Sequence, residues 1–270
     1  MSKKTQNHTK EHARFLKGEK RKSALVIILQ ISILIAFFAL WEAASHFGWI
    51  EAFIFSSPSR MWRMFTQMLS NGELLHHVWA TTSQVLISFV AGTLLGFVIA
   101  TWLWSREFAR RVLSSYLVIF NALPKTALAP IIIVWVGNNP RAIVVTALLI
   151  SVVVAVLNIL TGFLQVEEEK IKLIKSFGGS KAQTFTKVVF PAAIPDMINA
   201  LKINIGLSFV GVIVGEFLVA QAGLGFLIVY GSQIFRLDMV MMSIVILCLL
   251  AALFYQAITA IEKAFKNWAK

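Results

Sequence analysis

The sequence predicts an all-α integral membrane protein with six transmembrane helices and a long polar loop between the fourth and the fifth. Three observations lead there. The 270-residue chain is 58% hydrophobic, and its apolar residues fall in continuous runs of about 20, the length of a helix that crosses a bilayer. Those runs are rich in Leu, Ile and Val without two-residue alternation, which excludes a transmembrane barrel built of strands of about ten residues. The net charge of +12 comes from Lys and Arg held in polar segments between the runs.

Residues 1–23 form a basic tail that carries Lys3, Lys4, Lys10, Arg14, Lys17, Lys20, Arg21 and Lys22. The apolar run 24–44 follows it and exceeds the roughly 7–15 residues of a signal-peptide core, so it reads as an uncleaved first span. Ser57-Pro58-Ser59 is a helix start signal. Met61, Trp62, Met64, Phe65, Met68 and Leu69 follow at helical spacing, which predicts a short helix lying on the outer membrane surface. The remaining spans are expected at 82–104, 112–136, 143–164, 198–220 and 240–261, so that residues 24–270 make one transmembrane domain.

Alternate polar segments test this count, because cytoplasmic loops hold the excess Lys and Arg. One side receives the basic tail, Arg106, Arg110 and Arg111, five lysines of the 165–195 segment, and Lys263, Lys266 and Lys270. The other side has only Arg60, Arg63, Arg141 and Arg236. Both termini and the 165–195 loop are therefore expected in the cytoplasm of a multi-pass cell-membrane protein. Topology accounts for the positive charge, with anionic lipid as a secondary attraction and no nucleic acid required. Cys248 is the single cysteine, so neither an intrachain disulfide nor a cysteine-based metal site can form.

Several residues inside the spans call for a role. Gly92 and Gly96 form a G-x-x-x-G pair suited to close helix contact. Pro124, Lys125 and Pro130 interrupt the third span; each proline removes a backbone donor, and the resulting kink can bare carbonyls to a cavity. Lys125 either attracts an anionic solute or snorkels to the interface, and Lys202 is expected to snorkel. Glu216, in the fifth run, either lines a solute path or pairs with a neighbouring helix. His76-His77 has no third nearby ligand for a metal, and Gly223 and Gly225 suggest a turn at the pore mouth.

The loop holds "EEEKIKLIKSFGGSKAQTFTKVVFPAAIP". Its pattern predicts a helix from Glu167 to Phe177, a Gly178-Gly179 turn and a second short helix from Ser180, with Pro191 and Pro195 bracketing the start of the next span. Ile171, Ile174, Phe177, Phe185 and Val188 give it an apolar surface that must be covered, either by a partner or by the ends of its own spans. "GGSK" lacks the spacing of a phosphate-binding loop, and no nucleotide or cofactor motif occurs elsewhere. If ATP is used, another chain hydrolyses it.

Gly178, nine residues and then Val188-x-Phe190-Pro191 resemble the cytoplasmic signature of ABC-importer permeases, Glu-Ala-Ala, three residues, Gly, nine residues, Ile-x-Leu-Pro. Lys172-Leu173-Ile174 stands where the family has Glu-Ala-Ala. "SSPSRMWRMF", "ALPKTALAPIIIVWVG", "FPAAIPDMINALKINIGLSFVGVIVGEFL" and "AGLGFLI" are similar, in order and spacing, to the nitrate/sulfonate/taurine-like branch, so the resemblance runs from about Ser56 to the C-terminus. It implies a non-enzymatic pore subunit that works as a homodimer with two cytoplasmic ATPase subunits and an extracytoplasmic solute-binding protein. It also makes the loop a coupling helix, with Gly178, Gly179 and Ser180 at the turn, Phe177, Phe185 and Val188 toward the ATPase and Pro191 starting the link to the fifth span. The solute expected is small and organic or anionic: a sulfonate, nitrate, taurine or a vitamin precursor. An ion-gradient-driven secondary transporter with Glu216 as proton carrier is the alternative. An intramembrane enzyme has no supporting constellation, since no paired Asp or Ser–His arrangement occurs.

Overall fold

The computed structural model describes residues 2–268, and the side-chain surroundings of Arg21, Lys22 and residues 25–264. The basic side chains at positions 3–20 lie outside those described. All regular structure among the described residues is helical, and the chain divides into two units, residues 1–63 and 64–270.

In the first unit, α1 (Ser2–His46) contains the apolar stretch Leu25–His46. A single turn, α2 (Ala52–Phe55), precedes α3 (Pro58–Ser70), the short helix expected from Ser57-Pro58-Ser59. Ser59 N–H donates to Glu42 Oε2 at 2.9 Å, so an acid of α1 satisfies one of the backbone donors that the start of α3 leaves open.

In the second unit, α4 (Glu73–Ser105) begins nine residues before the expected second span and carries His76 and His77 inside it. The third span is broken. Helix α5 (Glu107–Ala122) stops at Leu123, and a 3₁₀ turn (Lys125–Leu128) leads into α6 (Ala129–Val136), with an 83° bend between the two halves. Pro124 causes the break: it offers no N–H, and it forces Leu123 into extended backbone, observed at φ −63°, ψ 138°. Pro130 does not kink anything. It sits in the first turn of α6, where its missing donor is not needed.

Asn139 caps α7 (Pro140–Leu164), its Oδ1 accepting from Arg141 N–H at 2.9 Å. After α8 (Glu168–Ser176) and the short α9 (Lys181–Thr184), a π-turn (Phe185–Val189) runs without interruption into α10 (Phe190–Val219). The second loop helix and the fifth span are thus one rod, Lys181–Val219; Pro191 and Pro195 lie within it and bracket nothing. Pro191 has no N–H for a carbonyl one turn back, and the widened π-turn just before it accommodates that loss. Helices α11 (Leu224–Gln233) and α12 (Leu237–Trp268) complete the chain. Five helices are long and apolar enough to cross a membrane, and the bent α5–α6 pair taken as one span makes six.

Small residues hold α4, α7 and α10 together. A Cβ on Gly96 would fall 2.6 Å from Ala155 Cβ, and one on Gly92 2.8 Å from Ser151 Oγ, so α4 lies parallel to α7 at a separation that only glycine permits. A second pair, Gly211 and Gly215 of α10, packs antiparallel on Ala147 and Ile143 of α7. Without a hydrophobic driving force between helices in lipid, such close approach supplies the van der Waals contact that holds a bundle. Asn204 Nδ2 donates to Thr93 Oγ1 at 2.7 Å and joins α10 to α4 in mid-span. Lys202 of α10 pairs with Glu262 of α12 and sits 5.8 Å from the centre of the Tyr255 ring.

Candidate functional site

The loop between α7 and α10 is built by three local devices. Gly178, at φ +75°, ends α8: its N–H donates to Lys175 O and that of Gly179 to Ile174 O, both at 3.0 Å. This pair of bonds closes a helix through a left-handed residue, the conformation glycine takes without a Cβ penalty. Gly179 is needed for a different reason, since a Cβ there would lie 2.5 Å from Ile174 Cγ2 and 2.8 Å from Ile174 O. Ser180 then opens the next helix with a reciprocal cap: its N–H donates to Gln183 Oε1 at 2.8 Å, and Gln183 N–H donates to its Oγ at 3.3 Å.

These devices settle which side chains the loop offers outward. Phe177, the last residue before the turn, is 80% exposed, and Leu173 one turn earlier is also exposed. Val188 and Pro191 line a shallow cavity of about 440 Å³ with Leu173 and Ile174. Phe185 faces inward. Its ring lies 5.1 Å from Trp104, 5.2 Å from Phe163 and 6.2 Å from Phe190, against the buried cluster formed by Ala100, Leu103, Val156, Ile159 and Phe163. It is half-buried and packs on its own chain, whereas the sequence pointed it toward a partner. Lys172, at the position of the family's acid, reaches Glu168 Oε2 at 3.0 Å and holds that exposed carboxyl below its ordinary range.

At the opposite end of the bundle, Glu216 is 1% exposed and both of its oxygens are engaged. Thr81 Oγ1 donates to Oε1 and Gly225 N–H to Oε2, each at 2.7 Å. Leu224 N–H donates in turn to Thr81 Oγ1 at 2.7 Å, and Gly223 N–H to His77 Nδ1 at 3.0 Å. The carboxylate thus sits at the N-terminus of α11, where open backbone donors and the helix dipole favour an anion. Cβ atoms on Gly223 or Gly225 would collide with it. His77 stacks on Phe226, and Phe226 on Tyr230. Thr81 escapes sequence inspection, and the role of His77 with it, because both lie about 140 residues from their partners; only the glycines around Leu224 hinted at a turn.

Lys125 stands in the 3₁₀ turn at the break of the third span. Its Nζ donates to Asn121 O at 3.3 Å and to Asn121 Oδ1 at 3.2 Å. It borders a cavity of about 540 Å³ whose other walls include Phe120, Leu123, Leu128, Leu148 and Val152, so one cation faces an apolar chamber. Pro124 makes the turn that puts it there, while Pro130 contributes only to the start of α6.

Comparison with known proteins bears on this arrangement. Residues 92–267 match the family described as "Binding-protein-dependent transport system inner membrane component". The chain is 25% identical over 230 residues to the putative aliphatic sulfonates transport permease of Escherichia coli (strain K12), covering 85% of this chain and 88% of the relative. It is 22% identical to the taurine transport system permease of the same organism, covering 96% of each. It is 26% identical to the riboflavin transport system permease of Chloroflexus aurantiacus (strain ATCC 29366 / DSM 635 / J-10-fl), covering 91% of this chain and 90% of the relative. The fold is similar to a chain of the MetNI methionine ABC transporter in an inward-facing conformation, with a TM-score of 0.63 and 21% identity over 72% of this chain and 97% of that one. None of these likenesses favours an ion-gradient-driven carrier built on Glu216. The family match spans more than half of the chain and takes in the loop with the helices on either side of it, so the protein belongs to this family and is an ABC-importer permease.

Proposed function

We propose that two copies of this chain form the translocation path of an ATP-driven importer in the cell membrane, with both termini in the cytoplasm. A cytoplasmic ATPase subunit docks on each 165–195 loop, and an extracytoplasmic binding protein delivers the solute. The observation that carries the reading is the exposed apolar tip of the loop. Phe177 and Leu173 stand out on a rigidly capped turn, and continuous helix leads from that turn to Val219. A displacement applied to the tip is carried along a rod into the bundle, as helix shifts that alternate access require. Phe177 is the anchor for an ATPase groove, Gly178, Gly179 and Ser180 hold its geometry, and Val188 and Pro191 border the cavity behind it.

The solute is a small organic or anionic molecule of the sulfonate, nitrate, taurine or vitamin-precursor kind. Support comes from the named relatives and from Lys125 beside an apolar chamber, a combination that suits an acid with a short apolar body. Pro124 shapes that part of the path. Glu216 serves it by holding α11 at the opposite end of the bundle, as a structural acid.

The test is co-purification of the ATPase with the full-length chain from its own membrane, comparing the native sequence with Phe177→Asp and Phe177→Trp. Loss with Asp and retention with Trp is the expected outcome. Equal recovery in all three would overturn the docking role. Gly178→Asp is a weaker probe, because a Cβ at that position meets nothing within 4 Å and Asp tolerates the left-handed region better than most residues.

A further inference from the structure

A second cavity, of about 690 Å³, opens at the end of the bundle opposite the coupling loop. Three segments enclose it: the first turns of α4, the start of α7, and the residues that follow α10. Its walls are largely apolar, with Ile87, Ile143, Val145 and Val219 among them. No Asp or Glu lines it, whereas Arg141 does. The backbone N–H of Arg141 is used in the cap on Asn139, but its guanidinium pairs with no carboxylate among the described residues. Glu216, only three residues before Val219, is held away by Thr81 and Gly225.

Gln84 is the second unusual feature. It lines the same cavity, is 8% exposed, and its Oε1 is buried without a hydrogen-bond partner. That oxygen is closed to the cavity, so what Gln84 can offer a guest is its amide NH₂, a donor. An exposed guanidinium free of carboxylates, an amide donor and an aliphatic wall, in a cavity within the ordinary size range of ligand pockets, specify complementary features in a guest. They are an acidic group for the bidentate fork of Arg141, a short apolar body, and an acceptor oxygen within reach of the Gln84 NH₂.

We propose that this cavity is a binding site of the permease itself for a small organic anion, with Arg141 and Gln84 as its recognition residues. The proposal rests on the importer reading for its biological sense, since it puts a solute-receiving site on the face away from the ATPase. The site itself can be probed without transport. Cys248 is the single cysteine, so a Cys248→Ser chain carrying Ser83→Cys places one thiol in the cavity. The native Ser83 hydroxyl bonds only to Ala80 O of its own helix, and Ala80→Cys is the second reporter should the first not fold.

The full chain in membrane vesicles is labelled with a sulfonate-bearing and with a trimethylammonium-bearing methanethiosulfonate, with and without butane-1-sulfonate as competitor. The expected result is a several-fold preference for the anionic reagent, from one exposed cation beside a largely apolar cavity and partly screened by salt. Butane-1-sulfonate should slow labelling several-fold, and both effects should vanish in Arg141→Gln. Gln84→Leu should weaken protection by butane-1-sulfonate, though less than Arg141→Gln does. Equal rates for the two reagents, protection that survives Arg141→Gln, or no labelling at either reporter would overturn the proposal. Because none of these readouts involves ATP, a failed ATPase co-purification would sink the importer assembly and leave the site standing, and the converse also holds.

Discussion

Replacing Glu216 by Gln separates a structural acid from a transport residue. The side chain keeps its shape and one carbonyl oxygen, but its NH₂ now faces a donor. If the oxygen stays on Gly225 N–H, the NH₂ meets Thr81 Oγ1, which already accepts from Leu224 N–H and loses the acceptor for its own proton. One hydrogen bond is lost and the Thr81 hydroxyl proton is left without an acceptor, a cost of about 1–3 kcal/mol in a site 1% exposed. If the bundle unfolds as one cooperative unit, that lowers its thermal midpoint by roughly 3–10 °C. Thr81→Val removes the other half of the pair and leaves Leu224 N–H without its partner, so it should cost a similar amount. Because the two residues touch, their effects should be clearly non-additive in a double-mutant cycle. The assay is thermal unfolding of the detergent-purified full chain, run beside uptake in vesicles. A midpoint unchanged by Glu216→Gln together with abolished uptake would refute the reasoning and make the charge itself part of transport.

Other substitutions follow from the same geometry. Gly96→Leu must force α4 away from Ala155 and should abolish recovery of folded protein on size-exclusion chromatography, whereas Gly206→Ala meets nothing within 4 Å and should raise the thermal midpoint slightly, by about 0.5–1 kcal/mol of helix propensity. Phe185→Ala removes a ring packed on Trp104 and Phe163 and should destabilise the chain by about 2–4 kcal/mol; Phe177→Ala, at an exposed position, should leave the unfolding midpoint in place. Lys202→Met removes the ion pair with Glu262 and should lower the midpoint, and adding Glu262→Gln should recover part of the loss.

Much of the fold was legible in the chain because lipid leaves so little choice. A run of about 20 apolar residues can satisfy its backbone only as a helix, so six spans, the basic segments between them and the Gly92–Gly96 contact could all be read from spacing. The Gly178-Gly179 turn was readable for the same kind of reason, as a local conformation that follows from residue type. The proline readings were half right. Pro124 breaks a span, but Pro130 falls in the first turn of a helix and Pro191 lies within a continuous one behind a π-turn, and whether a proline ends, kinks or merely starts a helix depends on where neighbouring packing places the boundary.

Side-chain direction was beyond the sequence. Phe177 and Phe185 are both aromatic residues of one polar loop, yet one projects outward and the other fills a pocket of Trp104 and Phe163. The rotation of the rod that bears Phe185 is set by α4 and α7, far away in sequence. Glu216 presented the same difficulty, because its partners Thr81 and Gly225 come together only when α4, α10 and α11 pack. Arg141 counted as a loop charge until the cavity showed what surrounds it. Composition and periodicity determine which segments are helices long and apolar enough to cross a membrane, since that is a matter of local transfer energies. Which buried donors meet which acceptors, and which aromatic rings remain free for a partner, is decided only by the contact of helices distant along the chain.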